Sequence, residues 1–227
     1  MSKKIITINI LLMLGIIIGD IFYILFGGLW LKGLTSLLFA LLGLVNFIYT
    51  RKQGFGFSRF GLLITLALFI CFVADIVLNL NFILGAIIFA IGHLFYIFAY
   101  SNLQKFRLVD LVPSVIIFVP ALLLIVLCKA FDFGGILMEM VCIIYALIIS
   151  IMVGKCISNL IKNRSLLNVL LVVGSALFMF SDIMLLFSQF ANVSAIMGIL
   201  CLATYYPGQA ILSHSLLFVK NQNNANK

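Results

Sequence analysis

The chain has 227 residues, 65% of them hydrophobic and 9% charged, with a mean hydropathy of +1.34. That balance excludes a soluble domain of this size and leaves a polytopic membrane protein. The formal net charge of +8 does not point to nucleic acid, because the basic residues fall in short segments between apolar runs, where they set topology.

A helix needs about 20 apolar residues to cross the hydrocarbon core. Eight such spans follow one another, over residues 5–26, 30–49, 60–79, 82–100, 111–127, 134–153, 166–187 and 193–218. The expected fold is an all-α bundle of eight transmembrane helices forming one domain over 1–227, with short loops and antiparallel neighbours. Lys3 and Lys4 ahead of an apolar run resemble a signal peptide. No A-x-A site follows, however, and the run continues past Asp20, so a retained first helix is expected.

The charges test the count. With a cytoplasmic N-terminus, the inner side holds Lys3, Lys4, Arg51, Lys52, Arg59, Lys105, Arg107, Lys155, Lys162, Arg164, Lys220 and Lys227, and the outer side only Lys32 and Lys129. Twelve against two obeys the positive-inside rule and puts both termini in the cytoplasm. The short loops suit a bacterial inner membrane.

Three of the six acidic residues repeat one context, a small residue, then Asp, then Ile: Gly19-Asp20-Ile21, Ala74-Asp75-Ile76 and Ser181-Asp182-Ile183. A carboxylate in hydrocarbon costs about 2.5–3.5 kcal/mol unless it faces a cavity or a partner. These aspartates therefore point to an internal polar site in the outer half of the bundle, with helix–helix glue as the alternative and as the first reading of Asp20. Glu139 lies near the outer end of the sixth span. Asp132 and Asp110 fall in loops and are expected to be solvated.

In the fourth span His93, Tyr96 and Tyr100 are spaced i, i+3, i+7 and share a face. In the eighth, Tyr205 or Tyr206 shares a face with Gln209, and Pro207-Gly208 should kink the helix and free a carbonyl. The third–fourth and seventh–eighth spans look alike, which suggests a duplication. Lys32 can hold a lipid phosphate or snorkel to the surface.

Other chemistries drop out. The five cysteines form no CxxC and read as core residues, and two histidines on separate helices cannot build a three-His zinc site, so no metal and no cofactor are expected. No lysine is read as mid-helix, which speaks against a Schiff base, and no G-x-S-x-G elbow is present. Carboxylate chemistry assisted by Tyr, His and Gln remains.

The stretches Trp30-Leu31-Lys32-Gly33-Leu34-Thr35, Ala74-Asp75-Ile76-Val77-Leu78, Gly92-His93-Leu94-Phe95-Tyr96, Gly174-Ser175 through Ser181-Asp182 and Tyr205-Tyr206-Pro207-Gly208-Gln209 together resemble the YhhN-like family of eight-helix membrane proteins, the lysoplasmalogenases. Ala74 and Gly33 depart from the family's usual Gly and Pro. The resemblance implies hydrolysis of the vinyl ether bond of lysoplasmalogens, with a lysophospholipid substrate drawn from membrane lipid. Asp75 and Asp182 would form the acid–base pair, one protonated while the other stays ionised. Lys32, His93, Tyr96, Tyr205, Tyr206 and Gln209 would bind substrate, and Asp20 and Ser181 would support. The alternative is a proton-coupled or small-molecule transporter.

Overall fold

The computed structural model describes residues 2–55, 59–191 and 194–219. Eight long helices account for nearly all of them: α1 (Lys3–Phe26), α2 (Leu29–Thr50), α3 (Arg59–Leu80), α4 (Phe82–Leu103), α5 (Leu111–Leu127), α6 (Ile136–Lys162), α7 (Leu166–Phe190) and α8 (Ile196–Ser215). All eight are long and apolar enough to cross a membrane. The described residues form no sheet, only one isolated bridge between Phe131 and Ala191. A lipid solvent forces this outcome, because only a helix satisfies its backbone within one segment.

Polar punctuation sets the helix starts. Ser2, Asn81 and Ser165 cap α1, α4 and α7, their side chains accepting from the amides of Ile5, Leu84 and Asn168. The turn between α1 and α2 needs positive φ at Gly27 (+65°) and Gly28 (+97°), which other residues rarely adopt.

Contacts across the bundle fix the alternation of directions. The Ser2 amide donates to the Tyr49 hydroxyl, pairing the start of α1 with the end of α2. At the other end Phe82 of α4 meets Phe190 of α7, ring to ring at 5.3 Å. The basic loops therefore gather at the end where α1 begins, away from Lys32 and Lys129. Lys220 and Lys227 lie outside the described residues.

The two suspected repeat units, α3–α4 and α7–α8, are the most closely packed pairs. Glycines permit this: a Cβ at Gly85 would strike the Leu78 backbone, and Gly174 and Gly208 face each other's carbonyls. α8 continues unbroken through Pro207.

Two expectations fail at the basic end for one reason. α6 runs to Lys162, nine residues past the expected stop, and carries Lys155, Ser158 and Lys162 alongside the 3₁₀ turn Leu108–Asp110. Asp110, expected to be solvated, is fully buried. It accepts from Lys155 Nζ at 2.7 Å, Ser158 Oγ at 2.5 Å, the Arg107 amide at 2.9 Å and Lys162 Nζ. Lys155, placed in a loop by the sequence reading, lies inside a helix and is fully buried. A buried charge of this kind survives because it is paired and hydrogen-bonded.

Candidate active site

Two polar clusters occupy the half of the bundle away from the basic loops. The first surrounds Asp75, five residues before the end of α3 and 2% exposed. Its Oδ2 accepts from Ser36 Oγ at 2.6 Å and from the Tyr205 hydroxyl at 2.7 Å, and its Oδ1 lies 3.7 Å from Lys32 Nζ. The Tyr206 hydroxyl sits 3.3 Å from Ser36 Oγ and donates to the Lys32 carbonyl at 3.5 Å. Lys32 is itself only 7% exposed, so it does not snorkel. It is held inside by Asp75, as an ammonium in apolar surroundings must be.

The second cluster surrounds Asp182. Its Oδ2 accepts from the Tyr145 hydroxyl at 2.8 Å and faces Nε2 of His93 at 3.8 Å. Nδ1 of His93 lies 2.7 Å from the Phe89 carbonyl oxygen. A carbonyl only accepts, so Nδ1 carries the proton, and Nε2 of the neutral ring is a bare acceptor. Nε2 is buried and has no hydrogen-bond partner among the described residues. At 3.8 Å the contact is longer than a hydrogen bond, so Nε2 faces the carboxyl without being bonded to it.

α7 continues to Phe190, so Asp182 lies eight residues from its end, about 12 Å at 1.5 Å per residue. This extra depth puts it level with His93, its neighbour at 3.8 Å.

Asp182 also opens onto a cavity. A space of about 380 Å³ lies between α4, α5, α6 and α7, within the size range of small-ligand sites. Its wall is apolar, formed by Phe82, Ala86, Phe89, Pro120, Ala121, Leu124, Ala146, Met179 and Leu186 among others, with Asp182, Tyr145 and Ser150 as its polar groups. The Asp182 side chain is 14% exposed, and its Oδ1 has no hydrogen-bond partner among the described residues.

An aromatic group stands between the clusters. Tyr205 packs against Phe178 at 5.2 Å and Phe89 at 6.0 Å, and Phe178 lies 4.7 Å from the His93 ring. The two carboxyls therefore belong to separate networks, and among the described residues no hydrogen bond joins them.

The remaining sequence candidates divide. The Tyr96 hydroxyl donates to Gln209 Oε1 at 2.8 Å, both residues fully buried, which ties α4 to α8. Ser181 Oγ donates back to the Phe178 carbonyl at 2.8 Å and has no other hydrogen bond among the described residues. Asp20 is 7% exposed and its Oδ1 has no partner among the described residues. Tyr145 and Ser36 were not singled out from the sequence. Ser36 follows Lys32 by one turn, and Tyr145 is the single tyrosine of α6; both signals are faint.

Eight apolar helices closed around buried aspartates, with a cavity reaching one of them, define an integral membrane protein of the helical-bundle class with an internal acidic site. The YhhN family profile matches residues 10–216, and the chain belongs to that family. No curated protein and no solved structure matches the chain.

Proposed function

We propose that the protein hydrolyses the vinyl ether bond of lysoplasmalogens, releasing a fatty aldehyde and a glycerophospho-base. The observation that carries this reading is Asp182 in the wall of an apolar cavity, beside a histidine with a free acceptor nitrogen. A single alkenyl chain suits such a cavity, and a carboxyl at its wall suits acid cleavage of an enol ether.

Protonated Asp182 gives its proton to the alkene carbon remote from the ether oxygen, and the adjacent carbon becomes an oxocarbenium ion. The resulting carboxylate stabilises that cation, as glycosidase carboxylates do. His93 Nε2 takes a proton from water as the water adds, which gives the hemiacetal. Collapse passes the proton from His93 to the departing glycerol oxygen and the hemiacetal proton to Asp182. One water is consumed and both groups return to their starting states.

In this reading the two aspartates divide the work expected of a pair. Asp182 does the chemistry, assisted by Tyr145. Asp75 holds Lys32, Tyr205 and Ser36 in place, and Lys32 meets the lipid phosphate near the outer surface of a cytoplasmic membrane.

The test is product analysis on purified protein with lysoplasmalogens carrying ethanolamine or choline. Aldehyde and glycerophospho-base in equal amounts are expected. Well-folded protein that releases neither, from either lipid, would remove the hydrolase and leave a carrier built on the same aspartates.

A further inference from the structure

α1 buries one stripe, Ile5, Asn9, Ile16 and Asp20, at spacings of four, seven and four residues. That stripe faces α2 and α8, the two helices α1 packs against. Gly19 lets α1 come close to α2, because a Cβ there would meet Thr35. Asp20 is thus turned into the bundle at the level of Lys32. Tyr23, one turn further along the same face, lies with its ring centroid 6.0 Å from Lys32 Nζ.

The charges in this corner do not balance. Lys32 is paired with Asp75 at 3.7 Å. Asp20 is more than nine-tenths buried, has no ion pair and leaves Oδ1 without a hydrogen-bond partner among the described residues. A buried carboxyl in this condition lacks one cationic or donor group.

We infer that Asp20 is the headgroup-reading residue, binding the ammonium of a zwitterionic single-chain phospholipid whose phosphate lies on Lys32. The inference rests on the lysophospholipid reading of the site above. In an ethanolamine or choline headgroup the amine is two carbons from a phosphate oxygen, so neighbouring anionic and cationic protein groups match it in sign and order. The Tyr23 ring adds a face on which a quaternary ammonium can sit. Bare phosphate would meet Lys32, which Asp75 already pairs, and leave Asp20 unmatched.

The experiment measures binding, apart from turnover. Full-length wild type, Asp20→Asn and Asp20→Glu are titrated in detergent with three lysophospholipids of identical acyl chain, bearing phosphoethanolamine, phosphocholine or bare phosphate. Wild type and Asp20→Glu should bind the two amine lipids about tenfold tighter than the bare phosphate, the worth of one carboxylate–ammonium contact. Asp20→Asn should lose that preference and keep its affinity for bare phosphate, which also reports that it has folded. An unchanged preference in Asp20→Asn, or equal loss of all three lipids, would overturn the inference. Aldehyde release by wild type is scored separately, so failure of the hydrolase reading shows as headgroup-selective binding without product.

Discussion

Nε2 of His93 stands 3.8 Å from Oδ2 of Asp182, while Nδ1 of the same ring is held 2.7 Å from the Phe89 carbonyl oxygen. The backbone contact fixes the tautomer and aims a free acceptor at the carboxyl that lines the cavity. Replacing His93 by Gln removes the acceptor nitrogen while leaving a polar side chain of similar reach. Turnover of lysoplasmalogen should fall about 10²-fold in kcat with KM little changed. Steady-state aldehyde release checks this, and an unchanged kcat would take His93 out of the proton path.

The cavity should set chain preference. Ala86 and Ala146 both line it. Ala86→Phe fills part of the space, so long alkenyl chains should lose kcat/KM relative to short ones. A chain-length series on both proteins measures the shift. The same preference in the variant would mean that the chain lies elsewhere.

Asp75→Asn should act differently from a change at Asp182. Ser36, Tyr205 and Lys32 all converge on Asp75, so the variant leaves a buried ammonium unpaired. Breaking such a pair costs about 3–5 kcal/mol. A lower thermal midpoint in detergent is expected, together with a raised KM. Full stability in Asp75→Asn would show that Lys32 does not depend on it.

Much of this arrangement is legible in the sequence, and what is not has physical reasons. Hydropathy and loop charge are enough for eight helices, because lipid leaves few alternatives. Asp75 and Lys32 stand out because charges inside apolar runs need partners, but that they partner each other, and that Tyr205 rather than Tyr206 joins Asp75, depends on how α2, α3 and α8 pack. Tyr145 escapes notice because a tyrosine in an apolar helix is unremarkable until its neighbour is known. Asp110 is misread because α6 is polar in its last turns, and their burial depends on the turn that packs against them. The cavity arises from how α4 to α7 are spaced, which no single segment encodes.

The Asp110 cluster is a stability element far from the chemistry. Asp110→Asn strips Lys155 of its carboxylate in a fully buried position, so the thermal midpoint should drop by the equivalent of about 3 kcal/mol. Pairing it with Lys155→Met should recover part of the loss, since the uncompensated charge is gone. Equal stability of wild type and Asp110→Asn would contradict the burial of this network.

In the proposed reaction Asp182 supplies the proton that cleaves the substrate. The direct measurement is single-turnover aldehyde release from a saturating lysoplasmalogen by wild type and by Asp182→Asn, whose amide keeps the shape and the Tyr145 hydrogen bond but carries no acidic proton. Rapid release by wild type is expected, with a rate lower by about 10²–10⁴-fold in the variant and lipid binding intact. Release at the wild-type rate by Asp182→Asn would contradict that role of Asp182.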